Sequence, residues 1–475
     1  MTNEEFRALG HRLVDWAADY RRDLAVRPVG GDFVPGRVRA MLPPVAPEAG
    51  GGLEVALAAL DTAVLPNMVH WQHPRYFGWF PTGGQEAGVL GELVSAVLGS
   101  VGLSWESSPA LTEVEEVVTG WCRELFGLPA VYQGVIQDSA STATLVALLA
   151  ARERASGYAQ FGGGLRALER PLVVYYGDSS HSSVEKAALL AGFGRDNLRK
   201  IPGGADDAMA LDALVAQIEA DIAAGCMPCA VVASSGSTGT LAFDPLEEIA
   251  SLAAQHGIWF HIDAAMAGAA LILPELRARF AGIELADSIV INAHKWLGVP
   301  FDCSLYFVRE PEALERVMST NPAYLQSARD SEVRNYRDWG LPLGRRFRAL
   351  KLWFVLVDLG AEGLRAKLRK DLALAEDLAA KVAEAPGWRL VRPLRLQTVC
   401  VVHEPDGLTG DVLDAHTKRW AAAVNASGEA WLSPSQIDGR WFVRVSIGSE
   451  RTGPEDVARA WAAMQLEAER SAALA

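Results

Sequence analysis

Lys295 closes a buried strand. The run Asp287-Ser288-Ile289-Val290-Ile291 is continuously apolar over its last three residues, and Asn292-Ala293-His294-Lys295-Trp296 follows it directly. An ammonium at such a place is costly to desolvate unless it is paired or neutralised, although a single lysine at a sheet rim can snorkel to water. A second strand lies upstream: Ile258-Trp259-Phe260-His261-Ile262-Asp263-Ala264-Ala265 is apolar and ends in a carboxylate. In an α/β alternation, ligands bind at the C-terminal ends of strands. One strand end carrying Asp263 and another carrying Lys295 therefore constrain both the fold and what it can hold.

The chain from residue 130 to about 310 alternates in this way. Gly134-Val135-Ile136-Gln137, Leu172–Tyr176 and Ala230–Ala233 read as further strands, with helix patterns between them. Continuous Val/Ile runs separated by helices predict a mostly parallel sheet covered on both faces. After the first strand, Asp138-Ser139-Ala140-Ser141 is a turn of small residues opening a helix from Thr142 to Arg154. A helix N-terminus of that kind binds phosphate through backbone N–H groups and the helix dipole. A second hydroxyl-rich loop, Ser234-Ser235-Gly236-Ser237-Thr238-Gly239-Thr240, follows the strand ending at Ala233. A Schiff-base lysine, a carboxylate for a pyridine nitrogen and a phosphate turn suit pyridoxal phosphate (PLP).

Composition excludes several alternatives. The net charge of -14 comes without a long basic run, which argues against a nucleic-acid or anionic-membrane partner. Cys226-Met227-Pro228-Cys229 has no second pair to complete a zinc site, so no metal is expected among Cys122, Cys226, Cys229, Cys303 and Cys400. No apolar run approaches the ~18 residues of a membrane helix. The start, Met1-Thr2-Asn3-Glu4-Glu5-Phe6, lacks a basic and then apolar leader, so a cytoplasmic location with reduced thiols is expected.

Thr2 and Glu5 have capping-box spacing ahead of an apolar stripe at Leu9, Leu13, Trp16 and Tyr20. Ser108 and Pro109 mark the start of a helix through Trp121 and Leu125. The stretch from His70 to Thr82 is crowded with aromatics, which suits a pocket or an interface. A long helix is predicted through Leu350, Leu352, Phe354 and Val357, then strands at 399–403 and 441–447 and a last helix from about Pro454 to Glu469. The expected organisation is an N-terminal helical dimerisation segment at 1–80, a large cofactor-binding domain at 81–370 and a small C-terminal domain at 371–475.

Several stretches taken in order resemble one family. They are His73-Pro74 with Phe80-Pro81-Thr82, Ser104-Trp105 with Ser108-Pro109-Ala110, Gly134–Gln137, Ser139-Ala140-Ser141, His181-Ser182-Ser183-Val184-Glu185, His261–Ala265, Asn292–Trp296 and Leu343–Arg348. The chain resembles the PLP-dependent group II amino-acid decarboxylases, nearest the aromatic-L-amino-acid decarboxylases, over about residues 1 to 465. The resemblance implies an α/β, fold-type-I transferase-like architecture with an N-terminal helical segment and a small C-terminal α+β domain. It also implies a homodimer with the active site at the subunit interface and a small-molecule amino acid as substrate. By it, Lys295 carries the cofactor as a Schiff base, Asp263 pairs with the pyridinium nitrogen, Ala265 packs under the ring and His181 stacks on it. Ala140 and Ser141 hold the phosphate, helped by Asn292 and His294, with Thr238 beside the cofactor. Trp71, Trp79, Phe80, Val101 and Leu103 match the substrate pocket, and Thr82 a residue near the substrate carboxylate.

Tyr336, within the polar stretch from Gln326 to Asp338, aligns with the mobile-loop tyrosine to which the family assigns protonation of Cα. Relatives with phenylalanine there convert substrate oxidatively to an aldehyde, so Tyr336 favours the amine. Gly360 falls where a small residue accompanies indole substrates, a lean towards tryptophan. The chain departs from the family pattern at Asp138 (glycine expected), Met266 (an aromatic), Trp79 (tyrosine) and Ala293 (proline). The rival readings are an aldehyde synthase, a decarboxylase of a non-aromatic amino acid, and an inactive binding homologue. No arginine stands among the pocket positions to pair a distal carboxylate, and Lys295, Asp263 and Tyr336 are all present. A nucleotide-binding dehydrogenase would want a glycine-rich fingerprint that is not found.

Overall fold

The structure is a computed structural model and describes residues 1–204 and 206–474; Ala205, and Ala475 at the end of the expected C-terminal domain, lie outside the described residues. The chain divides into two compact units, one made of Met1–Pro81 with Asp371–Ala475 and one of Thr82–Lys370. The N-terminal segment thus belongs to the same unit as the C-terminal residues.

The larger unit is built on seven strands: β1 (Gln133–Gln137), β2 (Leu172–Gly177), β3 (Leu198–Ile201), β4 (Met227–Ser234), β5 (Trp259–Asp263), β6 (Ser288–Asn292) and β7 (Ser304–Val308). Their order is β1-β7-β6-β5-β4-β2-β3. β2 to β6 pair in parallel, and β7 runs antiparallel between β1 and β6. The mostly parallel sheet follows from the sequence, because β5 and β6 are buried along their whole length and so read as unbroken apolar runs. The sequence reading did not anticipate β3, since it lies at the sheet edge and carries Arg199 and Lys200, nor β7, whose five residues follow a loop without helical or turn periodicity. The helix Ala140–Ala155 packs over β4, β5 and β6 through Ala143, Val146, Ala147 and Ala150. Its alanines let it come close to the sheet, which sets its N-terminus near the strand ends.

The other unit has an antiparallel sheet of β8 (Trp388–Leu390), β9 (Thr398–His403), β10 (Ser433–Ile437) and β11 (Arg440–Ser446), in the order β10-β11-β9-β8. Trp420 and Val424 of the helix Gly410–Ser427 and Met464 of the helix Pro454–Ala472 share a core with Val443 and Val445. The capping box at Thr2 and Glu5 forms as the spacing predicts. The long helix is not continuous: Arg348–Glu384 breaks at Gly360, where φ is 61° and ψ 178°, a region essentially restricted to glycine.

Four buried histidines are held neutral. Burial pushes His73 down to about 3 and His261, His294 and His416 each to about 4, from an ordinary 6.5. The unfolded chain therefore takes up protons below pH 6.5 that the folded chain refuses until about pH 4, and stability falls across that window. Asp244, raised to about 6 by burial, opposes this as one group against four. A urea midpoint that is flat above about pH 7 and falls steadily below pH 6.5 is the expected result; one that stays level or rises on acidification would contradict it.

Candidate active site

Three strand ends meet at one edge of the larger sheet. Ser234 of β4 lies beside Asp263 of β5, and Asp263 beside Val290 of β6, two residues before Asn292. Lys295 sits on the turn after β6, its N–H donating to the Asn292 carbonyl at 3.1 Å. Thr82 is brought to the same turn: the adjacent Gly83 N–H donates to the His294 carbonyl at 3.0 Å. Gly83 approaches so closely that a Cβ there would stand 1.9 Å from the Gly298 carbonyl carbon, so only glycine fits.

His181 follows β2 and lies within electrostatic range of both Asp263, which raises its proton affinity, and Lys295, which lowers it. Its ring is open to solvent by accessible area, yet desolvation by the surrounding protein is the largest influence and draws its pKa down. Its Nδ1 accepts the Ser183 N–H at 3.2 Å and lies 2.8 Å from Ser183 Oγ, so the neutral ring carries its proton on Nε2. Asp263 is buried and its Oδ1 accepts the Ala265 N–H at 3.0 Å, which fixes the carboxylate and also places Ala265. Behind it on the same strand, His261 Nδ1 meets Ser288 Oγ at 2.9 Å and Nε2 meets Thr144 Oγ1 at 3.4 Å, tying β5 to β6 and to the helix Ala140–Ala155.

Donors for an anion stand close by. Ser139 caps that helix by accepting the Thr142 N–H at 3.3 Å, and Ala140 and Ser141 open its first turn, where backbone N–H groups have no intrahelical partner. Asn292 Oδ1 accepts the Ser304 hydroxyl at 2.6 Å, which leaves its NH2 for an anion. His294 Nδ1 accepts the Cys303 N–H at 2.9 Å, so its Nε2 carries the proton. Thr238 is half-buried on the loop after β4, and on the same loop Ser235 Oγ is buried with no hydrogen-bond partner among the described residues. An orphaned buried hydroxyl, a fixed carboxylate, a lysine and a first-turn N–H cradle fit PLP by their donor chemistry.

The remaining expected residues have surroundings of their own. Trp71 and Trp79 stack at 5.5 Å with planes 5° apart in the smaller unit; Trp79 is exposed and Phe80 is buried. Val101 is exposed and Leu103 half-buried, on a segment held by Arg337 Nη1 to the Leu103 carbonyl at 3.3 Å and by Trp105 N–H to Asn335 Oδ1 at 2.9 Å. Met266 and Ala293 are buried. Gly360 stands at the helix break, with nothing within 4 Å of where a Cβ would be.

Tyr336 is not among the cofactor-side residues here. It is buried, its hydroxyl donates to the Gly134 carbonyl of β1 at 3.1 Å, and its ring meets Trp339 edge-on at 5.3 Å. Arg345 stands 5.0 Å from the ring centre and is itself held by buried Glu115 at 2.6 Å. The segment around Tyr336 is docked on β1 in this structure.

Sequence reasoning missed Arg444 of β11. It is buried, 4.7 Å over the Phe80 ring and 3.5 Å from Ser446 Oγ, with no carboxylate at ion-pair distance among the described residues. A desolvated guanidinium lacking a counter-ion suits an anionic ligand. The signal was an arginine inside the apolar run Phe442-Val443-Arg444-Val445.

Comparison with known proteins is consistent with this chemistry. The family model described as "Pyridoxal-dependent decarboxylase conserved domain" matches residues 35–403. The chain is 38% identical to phenylacetaldehyde synthase of Arabidopsis thaliana over 98% of this chain and 96% of that protein. It is 37% identical to tryptophan decarboxylase 2 of Oryza sativa subsp. japonica, covering 98% and 95%. The solved structure of Oryza sativa TDC with PLP and tryptamine superposes with a TM-score of 0.95 at 32% identity, covering 99% of each chain.

Proposed function

The chain belongs to the pyridoxal-dependent decarboxylase family, and on that premise we propose that it converts aromatic L-amino acids to the aryl amine and carbon dioxide. The observation that carries this is the grouping of Asp263 at the end of β5, Lys295 after β6 and His181 after β2, with His181 in electrostatic range of the other two. Bound PLP supplies a sink for the electron pair left when carbon dioxide departs. Lys295 would hold the cofactor covalently. Asp263, immobilised by the Ala265 N–H, keeps the ring nitrogen protonated. His181 offers a flat neutral ring to the cofactor face. Asn292, His294 and the first turn of the helix Ala140–Ala155 donate to the phosphate. Tyr336, once its lid leaves β1, delivers a proton to Cα.

The aromatic preference is supported by the tryptophan decarboxylase, tyrosine decarboxylase and aromatic-L-amino-acid decarboxylase relatives. The rival reading is decarboxylation of a non-aromatic amino acid such as glutamate or cysteine sulfinate. Carbon dioxide release with product identification, against a panel of aromatic and acidic amino acids, separates the two. Amine from tryptophan, tyrosine, DOPA or phenylalanine supports the first, and turnover of glutamate or cysteine sulfinate alone would replace it with the second.

The working unit is a cytoplasmic homodimer. Leu90, Leu93, Val94, Val97 and Leu98 on the helix Glu86–Leu98, and Val101 after it, are exposed apolar residues on a scale that marks a protein interface. Light scattering is expected to give twice the 51.0 kDa chain mass; a monomer at micromolar concentration would rule the dimer out.

A further inference from the structure

We propose that Asp138 sets how tightly this chain holds its cofactor, by competing with the phosphate for the N-terminus of the helix Ala140–Ala155; this rests on the PLP reading above. Asp138 follows the last residue of β1 and is half-buried. Its Oδ1 accepts the Ser139 hydroxyl at 3.1 Å. Ser139 Oγ in turn accepts the Thr142 N–H at 3.3 Å and lies 3.2 Å from Thr142 Oγ1. A hydroxyl has one proton to give. With that of Ser139 directed to Asp138, the proton in the Ser139–Thr142 contact comes from Thr142. The hydroxyls of Ser139 and Thr142 are thereby turned along a chain that ends on a carboxylate, and neither points its proton at an arriving anion.

The same carboxylate stands one residue before the N-cap, beside the positive end of the helix dipole. There it stabilises the protein before the cofactor enters and repels a phosphate dianion once it has entered. The site is thus balanced between two anions, one built in and one bound. Cofactor affinity is lower than the donor set alone would give, and holoenzyme formation follows the free cofactor concentration more closely than in a chain with an uncharged residue at this place.

The test is titration of PLP into cofactor-free protein, read by the absorbance of the covalently held cofactor, for the wild type, Asp138→Asn and Asp138→Gly. Asparagine keeps the accepting oxygen and the size and removes the charge. Its Kd is expected to fall about three- to tenfold, and the difference from wild type to shrink as salt screens the repulsion. Inorganic phosphate, used as a competitor, should gain affinity in parallel. The cofactor-free variant should melt below cofactor-free wild type, having lost its helix-end charge, yet gain more on adding PLP. Unchanged or weaker PLP binding by both variants, in protein that melts cooperatively, would overturn the role of Asp138 and leave the PLP reading intact. Failure of the wild type to develop the covalent absorbance at all would instead bring down both.

Discussion

Replacing Lys295 with alanine is expected to abolish turnover of every aromatic amino acid and to remove the absorbance of covalently held cofactor. The loss should exceed about 10⁴-fold, on the scale seen when a covalently acting group is deleted. Lys295 lies on a turn whose backbone is fixed by Asn292 and joined to Thr82 through Gly83, so alanine leaves the surrounding fold in place. The donors for the phosphate are untouched. Dialysable, non-covalent cofactor binding with no amine product is the expected phenotype, read by absorbance before and after dialysis alongside product assay. Amine production by Lys295→Ala would remove the basis of the functional reading.

Tyr336→Phe should act differently. The hydroxyl is the one group on the lid assigned to give Cα its proton, and loss of a positioned general acid costs about 10²–10⁴-fold. The variant should bind cofactor as wild type does, since the Tyr336 hydroxyl is engaged with the Gly134 carbonyl and its ring with Trp339. Amine formation should fall, and with dioxygen and water present the unprotonated carbon should leave as the aldehyde, with ammonia, carbon dioxide and hydrogen peroxide as the other products. Peroxide and aldehyde appearing in equal amounts would establish the switch. Full amine production by the phenylalanine variant would remove Tyr336 from the chemistry. The hydroxyl donates to Gly134 and the ring lies beneath Arg345, so the proposed role of Tyr336 requires its segment to give up these contacts.

The strand ends that carry Asp263 and Lys295 were legible in the sequence for a physical reason. Strands of a parallel sheet are covered on both faces, so they appear as unbroken apolar runs, and a charged residue closing such a run stands out. Asp263 and Lys295 were found in this way, and the N-terminus of the helix Ala140–Ala155 by its small residues. What was not legible depended on pairing in space. β7 slots between β1 and β6 although it lies far from β1 in the chain. The break at Gly360 interrupts a stretch whose apolar spacing reads as continuous helix, because a single glycine with positive φ leaves the periodicity on either side intact. Arg444 looked like one basic residue in a strand until its burial against Phe80 showed a guanidinium without a counter-ion among the described residues. The docking of Tyr336 on Gly134 joins residues 202 positions apart, which no local pattern encodes.

The most direct measurement is turnover of an aromatic L-amino acid in deuterium oxide by the PLP-loaded wild-type protein, with products resolved by mass spectrometry. The account predicts carbon dioxide and the aryl amine in equal amounts, with one deuterium fixed at the carbon that carried the carboxylate. Aldehyde and peroxide without amine, or no carbon dioxide from any aromatic substrate in protein that has taken up its cofactor, would contradict it.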